Sequence, residues 1–332
     1  MGGYFLHESR EPYLKQPLAP TELIALLRSR GLEIGDESRL THYLTYIGYF
    51  RLSGYFPPFQ VRQEDGGGAF RPGTTFSQIL DLYVFDRKVR LLLIDALERI
   101  EVAIRTVISD KMSLTHGAFW LNKDTLFDKP HHPEIVEQIN ASIDLRDGKM
   151  HHAFLKHYSK KYANIYPPSW MVFETLSFGQ VSHIYKRLRG CNQKLISDEF
   201  GLDNAFFESW LHVLWFSRNV VAHHSRVWNR VFTIQPKIPR KLSEAWPREA
   251  ANRFYGLCVM INYLMDVVAD GSRWPDRLRS LLMEYSEVPL AQMGFPEGWT
   301  GLEYWKRRFS VAEDAAVLCP LTNGLCYTPN SD

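Results

Sequence analysis

The chain has 332 residues, a formal net charge of +2, 45% hydrophobic and 14% aromatic residues, and four cysteines. That apolar content is ample for a packed core and excludes a disordered chain; no uninterrupted apolar run approaches the ~20 residues of a membrane span. Cys191, Cys258, Cys319 and Cys326 show neither a CxxC pair nor zinc-type spacing, and the N-terminus lacks an apolar signal-type core, so the expected setting is a reducing cytoplasm.

In chain order, Thr21 is placed to cap a helix through Arg30, with Gly31 as its stop. Asp36 or Ser38 opens a second helix carrying Leu40, Leu44, Ile47 and Phe50, and Pro57-Pro58 ends it. Residues 61–75 form a glycine-rich loop, read as mobile rather than as a phosphate cradle because no GK[ST] follows Gly66-Gly67-Gly68. Thr75 or Ser77 starts the longest helix, to about Met112, with an apolar face from Leu82 to Val107. Opposite that face lies a charged stripe of Arg87, Arg90, Glu98, Glu101 and Arg105. A solvated face with i,i+4 pairing is the plain reading. The sharper one has Glu98 or Glu101 orienting groups on a later helix.

Shorter helices are expected over Pro133–Ile143, His151–Tyr162, Trp170–Leu176, Val181–Arg189 and Asn192–Phe200, then a key helix from about Asp203. Helices resume over Trp246–Asp270 and Pro275–Tyr285, and the pattern fades beyond Glu287 into a loosely attached tail. No strand-type alternation stands out. The expected fold is an all-α helical bundle in one domain over residues 1–300, its core helices at about 75–112 and 203–230, with a poorly structured tail of open role at 301–332.

The stretch that breaks the pattern is Trp210 to Arg230, WLHVLWFSRNVVAHHSRVWNR. Its apolar first half gives way to Arg218, Asn219, His223, His224, Arg226 and Arg230, and no carboxylate occurs from Arg218 to Lys241. Such breaks tend to fall at functional sites. At roughly 100° per residue, Asn219, His223, Arg226 and Arg230 would share one stripe, whereas Arg218 and His223 diverge by about 140°. A site shared between two copies of the helix relieves that divergence.

Three histidine pairs, His131-His132, His151-His152 and His223-His224, invite a metal reading. Neighbours on a helix point about 100° apart, however, and no HExxH-like spacing is present. No metal and no cofactor are expected. Arg, Asn and His suit metal-free RNA cleavage better: an imidazole deprotonates the 2′-hydroxyl and a guanidinium stabilises the phosphoryl charge. The basic residues Arg226 and Arg230 would hold the RNA backbone, and Trp215 or Trp228 could stack on bases. The alternatives are a buried polar cluster that fixes helix packing in a non-catalytic dimer binding RNA or a protein, and a site for a small phosphorylated ligand.

The segment Arg218-Asn219-Val220-Val221-Ala222-His223-His224-Ser225-Arg226-Val227-Trp228-Asn229-Arg230 closely resembles the hallmark of the bacterial abortive-infection Abi-like family. Tyr46–Tyr55, Gly73–Phe76, Leu82–Arg87, Leu93–Glu101, Pro168–Met171 and Ser177–Gly179 match in the same order, so the resemblance covers about residues 15–300. It implies a HEPN-type α-helical dimer and a metal-independent endoribonuclease toxin of phage defence that leaves 2′,3′-cyclic phosphate ends. It further implies Arg218 and His223 as the catalytic pair, with Asn219 at the commonly polar position after the arginine; the match leaves open whether His224 shares the role of His223, and Glu98 or Glu101 stays the supporting group expected from the charged stripe. The implied partners are RNA, a second copy of the chain, and an antitoxin that is either a protein or a small non-coding RNA.

Overall fold

The computed structural model describes residues 16–61, 68–128, 130–143 and 152–309. The chain divides into two compact units, Met1–Phe85 and Asp86–Asp332.

The first unit begins with α1 (Pro20–Ser29). It starts two residues earlier than a Thr21 cap would dictate, with Ala19 as N-cap, because Pro20 brings a helical φ and no N–H to satisfy. Glu22 Oε2 accepts the Ala19 N–H at 2.6 Å. α2 (Glu37–Tyr46) is capped as expected by Asp36, whose Oδ1 accepts from Arg39 N at 2.9 Å. Here the structure departs from the single helix expected through Phe50. Gly48 takes φ +88, a conformation that strains any other residue, and splits off a short α3 (Tyr49–Ser53). A small antiparallel pair follows, β1 (Gln60–Val61) with β2 (Ala69–Phe70), in the register Gln60 opposite Phe70. Residues 62–67 between these strands, Gly66-Gly67 of the expected loop included, lie outside the described residues. α4 (Phe76–His116) opens on a capping box: Gln78 N donates to Thr75 Oγ1, and Gln78 Oε1 accepts from Thr75 N at 2.9 Å. Ile24, Leu27, Leu40, Leu44, Ile79 and Leu80 fill the core of this unit.

The second unit contains α4 from Asp86 onward, then α5 (His132–Ser142), α6 (Ala153–Lys161), α7 (Ser169–Phe173) and α8 (Phe178–Arg187). α9 (Gly190–Ser197), α10 (Asn204–Ala222), α11 (Phe254–Val268) and α12 (Trp274–Glu284) follow. α10 packs on α8 and α9, and α11 on α12. α12 is tied to α4 by Trp274, whose indole N–H donates to Leu92 O at 3.0 Å, and by Arg277 to Asp95 at 2.7 Å. α11 is buried nearly all round, as its apolar sequence requires, but it starts at Phe254 rather than Trp246. Pro247 instead sets a 3₁₀ turn at Arg248–Ala250. The all-α expectation holds, with the two short strands as its one exception among the described residues.

The fold also runs past Glu287. Residues 303–309 form a further helix, α13, the last among the described residues. Its Trp305 and Phe309 are buried with Tyr255, Phe295 and Trp299, and the Trp305 indole N–H donates to the Tyr255 hydroxyl at 3.1 Å. Large aromatic side chains bury too much apolar area for this segment to hang loosely. Residues 310–332 of the expected tail lie outside the described residues.

Candidate functional site: the end of helix α10

α10 buries Phe207, Trp210, Leu211 and Leu214 and turns Arg218 and Asn219 to its partly exposed side. It stops at Ala222, with His223 as C-cap. His224 adopts φ +56, Ser225 N donates to Val220 O at 2.9 Å, and His224 N donates to Val221 O at 3.0 Å. This is a Schellman termination with histidine where glycine is usual. Placing a β-carbon in that left-handed conformation costs about 1–2 kcal/mol. Strain of this kind collects at functional sites. His223 and His224 are both exposed at the helix end.

The early stop corrects the sequence-based stripe. Asn219 and His223 lie one turn apart, but Arg226 and Arg230 fall beyond the helix and do not continue its face. Arg226 lies over the Trp228 ring at 5.8 Å, and its carbonyl accepts from Arg230 Nε at 2.6 Å. Burial, and then the neighbouring Arg226, lower the Arg230 pKa, while Asp86 opposes the shift. Trp228 is 1% exposed, so it belongs to the core and is withdrawn from any base-stacking role.

The charged stripe of α4 is solvated only in part: Arg87 and Glu98 are exposed and Glu101 pairs with Arg105 as i,i+4 spacing predicts, but Arg90 is buried. Glu101 is largely buried and carries two arginines. Its Oε1 accepts from Arg105 Nη2 at 2.6 Å, and its Oε2 lies 3.4 Å from Arg218 Nε. Arg105 in turn donates through Nη1 to Phe173 O at 3.0 Å and Leu176 O at 2.8 Å. Arg218 is thus held from behind by a carboxylate that is itself anchored to the end of α7. Glu98, the other candidate, is exposed, and the orienting position belongs to Glu101.

Asp86 is the functional-site residue that sequence reasoning missed. Its carboxylate is 0% exposed and Oδ1 accepts from Val227 N at 2.9 Å and Trp228 N at 2.6 Å, while Oδ2 takes the Arg90 guanidinium. α4 thereby grips the chain three to four residues after His224 and fixes where the helix end points. A signal did exist: Asp86 stands between Leu82 and Val89 on the apolar stripe of α4, where a lone carboxylate needs a reason.

The other histidine pairs serve local structure. His132 Nε2 meets Leu121 O at 2.9 Å, His131 Nδ1 lies 3.5 Å from Glu134, and His151 lies outside the described residues. Among the described residues no group of three or more His, Cys, Asp or Glu is placed to hold a metal ion, and no helix is long and apolar enough to cross a membrane.

The family model for Abi-like proteins matches residues 42–229, which ends one residue after Trp228 and takes in α10, both histidines and the Asp86 grip. No curated protein and no solved structure matches the chain. With more than half of the 332 residues matched and the match closing on this helix end, the chain belongs to the Abi-like protein family.

Proposed function

We propose that this Abi-like protein is a metal-independent endoribonuclease of the HEPN type, acting as a toxin in abortive infection against phage. The observation that carries the proposal is a guanidinium and two imidazoles at one helix terminus: Arg218 held by Glu101, with His223 and His224 exposed on the strained turn. In this reading His223 removes the proton from a ribose 2′-hydroxyl, and the 2′-oxygen attacks the adjacent phosphorus. The 5′-oxygen then leaves with a proton, giving a 2′,3′-cyclic phosphate and a 5′-hydroxyl. Arg218 stabilises the negative charge that builds on the phosphoryl oxygens, Asn219 orients the phosphate or His223, and His224 assists. Arg226 and Arg230 add positive field for the RNA backbone.

Because Arg218 and His223 diverge by about 140° around α10, the reading places them in a cleft shared by two copies of the chain. Such a nuclease also needs silencing until infection, which is the place of an antitoxin protein or small non-coding RNA.

The Glu101–Arg218 pair favours one other reading, a non-catalytic helical dimer in which Arg218 serves packing alone. Purified protein with defined RNA in excess chelator separates the two. The nuclease cleaves, and Arg218→Ala loses cleavage with its solution mass unchanged. The packing module does not cleave, and Arg218→Ala loses mass or thermal stability instead.

A further inference from the structure

Between α8 and α10 lies a cavity of about 310 Å³ that the reaction above does not use. One wall comes from Ser182 and Lys186 on α8, the other from Glu208, His212 and Trp215 on α10. The rings of His212 and Trp215 are stacked, 5.6 Å between centroids and 18° between planes. Gly179 makes this wall possible, because a β-carbon there would stand 2.7 Å from Trp215 Nε1. Across the cavity, Lys186 Nζ and Glu208 Oε1 are 3.6 Å apart. This is an ion pair too long for a hydrogen bond, with Lys186 exposed and Glu208 half-buried, so each keeps hydrogen-bonding capacity for a ligand. At the back, His183 Nε2 accepts from Arg187 Nε at 3.2 Å and Nδ1 meets Gln138 at 2.8 Å; it is a fixed part of the wall.

The cavity lies in line with the helix end. At 100° per residue, Glu208, His212, Trp215, Asn219 and His223 fall within about 80° of one another around α10. Seven residues separate His212 from Asn219, about 10 Å of helix rise, which is roughly three stacked nucleotides.

We propose that this cavity is a nucleobase subsite that takes guanine. The base lies against the His212–Trp215 wall. The Glu208 carboxylate accepts from guanine N1–H and N2–H, and the Lys186 ammonium donates to O6 or N7. Adenine presents a bare acceptor nitrogen to Glu208 and is rejected by repulsion. The inference rests on the RNA-cleaving reading for its substrate, but it concerns binding, so the two fail separately.

The test uses the full chain and fluorescence anisotropy with 2′-O-methyl hexamers, which lack the attacking hydroxyl and cannot be cleaved. One hexamer carries a single guanine among uridines, the other a single adenine; free GMP is the competitor. Wild type binds the guanine hexamer about 10- to 100-fold more tightly, and Glu208→Gln loses that preference with an unchanged melting temperature. Trp215→Leu weakens binding about 5- to 100-fold. His212→Ala, on the exposed side of the wall, does the same in the same direction if Trp215→Leu fails to fold. Tight GMP binding that depends on Glu208, with no difference between hexamers, assigns the subsite to a free nucleotide and overturns the RNA source. Equal affinity for both hexamers, with GMP binding indifferent to Glu208→Gln, overturns the subsite altogether. Loss of cleavage chemistry with retained guanine preference refutes only the nuclease.

Discussion

Asp86→Asn is the most exacting perturbation of the scaffold behind the helix end. The substitution is nearly isosteric, yet it removes the charge that three groups share. One Asp86 oxygen takes the N–H groups of Val227 and Trp228, at 2.9 and 2.6 Å, and the other takes Arg90, whose side chain is 8% exposed. An asparagine can keep its carbonyl oxygen toward the two backbone donors, but its amide N–H then faces the guanidinium, donor against donor. Breaking one member of a buried ion pair costs about 3–5 kcal/mol, and each hydrogen bond to a charged group that becomes neutral loses part of its ~1.5–3 kcal/mol. These contributions overlap, so about 3–5 kcal/mol is the expected loss, a large fraction of the ~5–15 kcal/mol that holds a typical domain. Urea denaturation followed by circular dichroism measures it, and amide exchange at Val227 and Trp228 reports the grip directly. The double replacement Asp86→Leu/Arg90→Met removes the ion pair as a unit and recovers part of the loss, but leaves the two N–H groups without that acceptor, about 1–3 kcal/mol each. A single Asp86→Asn variant within 1 kcal/mol of wild type, with unchanged exchange at both amides, would refute the reasoning.

Three further outcomes follow from the same geometry. Glu101→Gln keeps the shape but removes the charge behind Arg218, so under the proposed nuclease reading cleavage falls about 10- to 100-fold, on the scale of an orienting group, in single-turnover assays, with the solution mass unchanged. His224→Gly relieves the left-handed strain, so the melting temperature holds or rises, and the accompanying rate separates the role of His224 from that of His223. Burial and then Arg187 depress the His183 pKa below its usual value near ~6.5, against the pull of Glu134. The unfolded chain then binds the proton first: stability is full above pH ~6.5 and declines as the pH falls toward the folded pKa. Melting temperatures between pH 7.5 and 5.5 show that slope, and His183→Gln flattens it.

Local chemistry made much of this fold legible. Asp36 and Thr75 cap their helices as their types require, whereas α8 begins at Phe178 rather than at the expected Val181, because Ser177 and Gln180 form a capping box at 3.3 and 2.7 Å in place of the expected turn. The pairing of Glu101 with Arg105 follows from i,i+4 spacing, and its reach to Arg218 was one of two readings open for that stripe. What stayed hidden depended on distant partners or on glycine-free backbone geometry. Nothing near Asp86 announces that its acceptors' donors lie 141 and 142 residues away. The Schellman turn at His224 uses no glycine, so the helical stripe could be extended wrongly to Arg226 and Arg230. Trp228 looked like a stacking surface because a tryptophan in a basic segment reads the same whether it faces solvent or the core. The docking of residues 303–309 rests on the Trp305 contact with Tyr255 of α11, which periodicity alone does not reveal.

The central claim is that His223 cleaves RNA, and one comparison tests it most directly. Wild type and His223→Ala are expressed at matched soluble levels, and growth and total RNA are followed before and during infection. The account predicts growth arrest with new 2′,3′-cyclic phosphate ends in wild type only, and the same ends from purified wild-type protein in chelator. Intact RNA in both strains throughout infection, or new ends that persist in His223→Ala, would contradict it.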